Sequence, residues 1–410
     1  MGIERFDEVI DRTNTNSEKY DKKKEFGKPA DVLPLWVADM DFRAPEEVLL
    51  ALHDAVTHGI FGYSEPDETY FLALQTWFSK HFQWKLEPEW LVKSPGVVFA
   101  LHAAVRALTK EGDAVLIQPP VYYPFFKVVE ENNRKLICNP LLRRGLQYEI
   151  NFEEFEQKII EEEVKLFLLC SPHNPVGRVW KREELDRILE ICVRHQVFVV
   201  SDEIHCDFTY PGNQHIVFAT LSREASDCCI VCTAPSKTFN LAGLQTSNIF
   251  IENPVIRKKF KRALYQKTGY QELNQLGLVA CQAAYEKGEH WLAELKEYLT
   301  GNLEYVRRFL EEKIPEIKLM EPQGTYLLWL DCSGLGFGEE ELEQFMLHKA
   351  KLWFSEGSKF DRSSGQYERV NIACPRSILI QAMEQLETAV KGARKDENFD
   401  KRKIRSQSDS

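Results

Sequence analysis

Lys237 ends the run Thr233-Ala234-Pro235-Ser236-Lys237, directly after the apolar stretch Cys228-Cys229-Ile230-Val231-Cys232. A strand there would hold the lysine at the carboxyl edge of an α/β sheet, where such folds bind their ligands. A lysine partly withdrawn from water gives up its proton more readily, and the free amine can condense with an aldehyde. Two other apolar runs end in polar groups that complement it. Residues 166–170 lead into a turn carrying Asn174, and residues 197–200 lead into Asp202. Asn174, Asp202 and Lys237 follow one another at spacings of 28 and 35 residues, close to one βαβ crossover each. A single lysine opening a helix is commonly a surface residue. An amide, a carboxylate and an amine at three successive strand ends form a chemical set.

That set suits pyridoxal 5'-phosphate (PLP). Lys237 would take its aldehyde, Asp202 would keep its pyridine nitrogen protonated, and Asn174 would hydrogen-bond the ring O3'. The phosphate would need backbone donors, and Ser94-Pro95-Gly96-Val97-Val98 offers a glycine turn before a helical stretch at 99–108. Free N–H groups and the positive end of a helix dipole favour an anion there. Thr233 and Ser236 flank the lysine and could add hydroxyl donors.

The elements that must position these groups alternate along the chain. Strand patterns at 114–117, 166–170, 197–200, 230–233 and 247–251 are separated by helical ones such as 181–195, which predicts a mostly parallel sheet flanked by helices. Helices are predicted at 46–58 and 69–82, and a long amphipathic helix at 290–313 leaves this domain. Strands near 326–330 and 369–373 would form a smaller α+β domain with the N-terminal segment. Polar residues 11–30 read as a mobile or partner-crossing arm, and the charged, Ser-rich tail 393–410 as disordered. The expected divisions are an arm with part of the small domain (1–47), a large cofactor domain (48–288), the rest of the small domain (289–392) and the tail.

Nine segments carry a family likeness: LPLWVADMDF (33–42), GIFGYS (59–64), SPGVVFAL (94–101), PPVYYPF (119–125), CSPHNPVGRVW (170–180), SDEIHCD (201–207), APSKTFNLAGLQ (234–245), GTYLLWLDC (324–332) and RVNIACPRS (369–377). Through them the chain resembles the fold-type I PLP enzymes of the aspartate aminotransferase superfamily. Within these it is most similar to the MalY/PatB group of cystathionine β-lyase-like C–S lyases. The resemblance implies an α/β fold with a mostly parallel, seven-stranded-type sheet in the large domain and a smaller α+β domain. It implies that Gly96, Val97 and Val98 cradle the phosphate and that Tyr122 stacks on the pyridine, with Tyr123 a competitor. It also implies that Tyr63 reaches the cofactor of the other subunit, hence a homodimer with shared active sites. Two positions depart from the aminotransferase pattern. His205 stands where many have a tyrosine, and Gln245 where many have a phosphate-clamping arginine.

For the substrate, the late CPR motif makes Arg376 the candidate for the α-carboxylate, because a guanidinium grips a carboxylate bidentately. Asn174 would share that group, and the backbone at Ala38 is a further candidate. The reaction implied is α,β-elimination. The Lys237 amine removes the Cα proton of an S-substituted cysteine and a thiolate leaves Cβ, giving thiol, pyruvate and ammonia. Transamination by a class I/II aminotransferase would use the same residues, and a low-turnover regulatory protein could share the scaffold.

Composition sets the outer limits. The 410 residues are 44% hydrophobic and 28% charged, enough for two cored domains. A net charge of −11 leaves no surplus to neutralise nucleic-acid phosphates. No stretch approaches the roughly 20 apolar residues of a membrane span. Glu4, Asp7 and Glu8 stand where a signal peptide would be apolar, so a cytoplasmic protein is expected. The ten cysteines are scattered. Cys229 and Cys232, three apart on a strand, would face opposite sides of the sheet, so neither a metal site nor a disulfide framework is expected.

Overall fold

A run such as Leu166–Cys170, apolar at every position, makes a stable strand only where both faces of the sheet are covered. The computed structural model, which describes residues 2–266, 268–269 and 273–408, with side chains as far as Arg394, builds such a sheet. The chain divides into two units.

The larger unit comprises Arg43–Lys296 and Glu321–Thr325. The seven strands of its main sheet are β1 (Leu91–Ser94), β2 (Ala114–Ile117), β3 (Lys135–Cys138), β4 (Leu166–Cys170), β5 (Phe198–Asp202), β6 (Cys229–Thr233) and β7 (Ser247–Phe250). They lie in the order β1-β7-β6-β5-β4-β2-β3. Only β7 is antiparallel to its neighbours, so the other six strands end at one common edge. The helices include α1 (Glu46–His58), α2 (Glu68–Phe82), α3 (Val97–Leu108), α4 (Arg182–Arg194), α5 (Pro235–Thr238) and α6 (Gln275–Lys287). Ala100, Leu101, Ala104 and Val105 of α3 join Ile117, Leu168, Val200, Ile230 and Ile249 in one buried cluster. α4 buries Leu185, Ile188, Leu189 and Cys192, the spacing of a single helical face.

β1 and β3 were not expected from the sequence. They are the two edge strands, each only four residues long and partly exposed, so they lack the continuous apolar run of the central ones.

α7 (Glu289–Lys313) crosses the boundary between the units, which falls between Lys296 and Glu297. The smaller unit comprises Met1–Phe42, Glu297–Met320 and Tyr326–Ser410. It holds an antiparallel sheet of β8 (Lys318–Leu319), β9 (Leu327–Asp331), β10 (Ser355–Glu356) and β11 (Tyr367–Asn371) in the order β8-β9-β11-β10. Its last helix is α8 (Arg376–Ser408). Where the tail 393–410 was expected to be disordered, the backbone continues in this helix as far as Ser408; side chains beyond Arg394 lie outside the described residues.

The arm is tied to the 33–42 segment by ion pairs. Arg12 bonds Asp39 at 2.5 Å and Asp41 at 2.7 Å. Lys19, fully buried, bonds Asp41 at 2.7 Å. Two carboxylates in the 33–42 segment need cations once withdrawn from water, and the polar arm supplies them.

Candidate active site

Strand register builds the site. Asp202, the last residue of β5, pairs with Cys170 of β4 on one side and Cys232 of β6 on the other. From this level row, four more residues bring the β4 chain to Asn174, and five bring the β6 chain to Lys237 in α5. β1 runs in the same direction as β6 and delivers Gly96 to the same edge, at the mouth of α3. β2 delivers Tyr122 and Tyr123 there, their rings 5.2 Å apart, with Tyr122 the more buried of the two. The larger unit thus gathers Gly96, Tyr122, Asn174, Asp202 and Lys237 along one edge.

Asp202 is 4% exposed. Burial pushes its carboxyl up to about 7, the Ile204 N–H draws it down, the neighbouring Glu203 raises it and Lys237 lowers it again. Glu203, one residue on, faces away and is wholly occupied. It accepts from Ser201 Oγ at 2.9 Å, Phe218 N at 2.9 Å and His215 Nε2 at 2.7 Å. Of the two adjacent carboxylates, only Asp202 is left to meet a cation at the sheet edge. His205 and Asn174 are also buried, and the Asn174 N–H donates to Cys170 Sγ at 3.4 Å.

The residues present fit PLP on three grounds. A buried carboxylate held near neutrality is matched to a ring N–H that must stay protonated. α3 opens on Gly96 with no side-chain cap, and nothing lies within 4 Å of where a Cβ at Gly96 would be, which leaves first-turn N–H groups for an anion. Lys237, half-buried, lies within the field of Asp202. Ser236 beside it is half-buried. Thr233, by contrast, gives its only hydroxyl proton to the Asn248 carbonyl at 2.8 Å, so the expectation of a phosphate donor there is corrected. Gln245 is exposed, in a left-handed backbone conformation (φ 49°). Tyr63 is 99% exposed.

The smaller unit holds the remaining candidates. Arg376 is engaged within its own unit. Its Nε donates to Asn302 Oδ1 at 2.5 Å, and its guanidinium lies 5.5 Å from the Tyr305 ring centroid. Seven residues earlier, Arg369 lies inside β11 and is 3% exposed. It donates to the Trp36 carbonyl at 2.7 Å and to Ser355 Oγ at 3.2 Å, beneath the Phe360 ring. The next residues along, 37–39, are pinned by Asn371, which donates to the Val37 and Asp39 carbonyls, and by Tyr326, which donates to Ala38 O at 3.0 Å. Sequence reasoning passed over Arg369. The signal was an arginine within a buried strand, a costlier place for a cation than the turn after Pro375.

Residues 30–386 match the aminotransferase class I and II family. The chain belongs to that family, and within it to the MalY/PatB group of cystathionine β-lyase-like proteins. It is 44% identical to the cystathionine β-lyase PatB of Bacillus subtilis (strain 168), over 94% of this chain and 99% of that protein. It is 32% identical to the protein MalY of Escherichia coli (strain K12), over 95% and 99%. The solved structure of cystalysin from Treponema denticola, which contains PLP, superposes with a TM-score of 0.91 at 38% identity, covering 94% of this chain and 98% of that one. Among the described residues no helix is long and apolar enough to cross a membrane.

Proposed function

We propose that this chain is a PLP-dependent carbon–sulfur β-lyase that takes an S-substituted cysteine such as cystathionine and one water and releases a thiol, pyruvate and ammonia. The observation that carries this reading is the level row Cys170–Asp202–Cys232, from which Asn174 and Lys237 extend, in a chain 44% identical to a cystathionine β-lyase. When bound, PLP supplies an electron sink at its protonated ring nitrogen. Asp202 would hold that proton, and Asn174 and His205 would orient the ring edge. The N–H groups of Val97 and Val98, with Ser236, would bind the phosphate, and Tyr122 would cover the ring face. Lys237 Nζ would hold the aldehyde carbon, and as a free amine it would take the Cα proton of the substrate. Arg369, an arginine carried inside a buried strand, stands beside Arg376 as a candidate guanidinium for the substrate carboxylate.

A second copy of the chain completes the site. Ile60, Phe61 and Tyr63 are 66%, 60% and 99% exposed on one loop, an apolar surface that a partner would cover. The partner subunit's Tyr63 then supplies a phosphate contact that Gln245 lacks the charge to make.

Pyruvate release from cystathionine without any added keto acid tests the activity. Turnover that appears only when a keto acid is added would make the protein an aminotransferase instead.

A further inference from the structure

The segment SDEIHCD holds a third carboxylate, Asp207, which the reading above leaves unused. It is 7% exposed, so its charge needs donors, and the structure supplies them from two directions. Thr238 Oγ1 donates to one carboxylate oxygen at 2.7 Å and Trp77 Nε1 donates to the other at 3.1 Å. Cys206 Sγ approaches the first oxygen at 3.8 Å, and Lys296 and His81 feel the carboxylate's field from α7 and α2. Thr238 is fully buried, is the last residue of α5 and is covalently next to Lys237. α5 has only four residues, far fewer than a helix needs to hold its own geometry. At its C-terminal end the Phe239 N–H donates to the Pro235 carbonyl and the Leu241 N–H to the Ser236 carbonyl. What fixes the turn must come from outside it.

We propose that Asp207 is the positioning residue of the reactive lysine, clamping the Lys237 turn through Thr238 and tying it to α2 through Trp77. This rests on Lys237 being the residue that holds PLP. The clamp touches neither cofactor nor substrate. It sets where Lys237 Nζ stands when it must reach the Cα proton, and small misplacements of a reacting group are expensive.

The test is a double-mutant cycle on the PLP-loaded enzyme. Thr238→Val keeps the shape and removes the hydroxyl, whereas Thr238→Ser keeps the hydroxyl. Asp207→Asn keeps an acceptor for Trp77 and removes the charge. Thr238→Val should lower kcat by about 10²-fold with a much smaller change in KM, and should shift the pH midpoint of the bound cofactor's visible absorbance. Thr238→Ser should restore both. Asp207→Asn should match Thr238→Val, and the double variant should be no worse than the poorer single one. Wild-type kcat in Thr238→Val, or losses that multiply in the double variant, would overturn the clamp. Should Asp207→Asn fail to give a cooperative melt, the Thr238→Val and Thr238→Ser pair decides alone. Lys237→Ala separates the two levels. If it keeps the visible absorbance and turnover, the lysine assignment falls. If it loses both while the Thr238 pair is inert, only the clamp falls.

Discussion

At the scale of single residues, the site turns on where charge is buried. Lys237→Ala should abolish both the visible absorbance of bound cofactor and lyase turnover, read by spectrophotometry and pyruvate release. Asp202 gives a pH signature in the cofactor-free protein. Its folded carboxyl stands at about 7 against an ordinary 3.8, so the folded chain holds a proton that the unfolded chain releases across that window. The stability tied to that proton is present at low pH and is lost as pH rises toward 7. Melting apo wild type beside Asp202→Asn should therefore show the variant gaining relative stability as pH rises; parallel curves would contradict the assignment. Arg369→Lys should raise KM by about 10-fold or more by losing a bidentate grip, with a smaller effect from Arg376→Lys. The sequence made Lys237, Asp202 and Asn174 readable because each ends an apolar run. Arg369 and Asp207 stayed hidden because their meaning lies in what surrounds them across the chain.

At the scale of elements, apolar periodicity sufficed wherever a segment was buried on a whole face. β2 and β4 fall at the expected residues, and α1 spans 46–58 as the pattern predicts. The edge strands and the arm escaped because their partners are distant in sequence: Lys19 looks solvated until Asp41, twenty-two residues on, is placed beside it. One close approach makes an element-scale test. A Cβ on Gly277 of α6 would lie 2.3 Å from Thr246 Oγ1 and 2.5 Å from the Leu244 carbonyl. Asn274 joins the same two segments, accepting from Gly277 N at 2.7 Å and donating to Leu244 O at 2.8 Å. Gly277→Ala should cost about 1–3 kcal/mol in denaturant unfolding, since the helix start must move off the loop that follows the lysine turn.

At the scale of the whole molecule, the shared-site dimer proposed above makes a prediction that no single chain can satisfy. Tyr63→Phe should weaken PLP binding, read by cofactor titration, while far-UV circular dichroism stays unchanged. Heterodimers of Tyr63→Phe with Lys237→Ala subunits have one site bearing both lesions and one bearing neither. Activity should return in the mixture at up to one intact site per heterodimer. A monomer by sedimentation, or no recovery in verified heterodimers, would sink the arrangement.

The level row at Asp202 has a kinetic meaning as well. Asn174, Asp202 and Lys237 stand together only when β4, β5 and β6 are side by side in one register, and a slip of one residue would turn Asp202 to the other face. No fragment that lacks any of these three strands carries the set. During refolding in the presence of PLP, the rise of the cofactor's visible absorbance therefore times the closing of the sheet centre, later than signals from local helix formation.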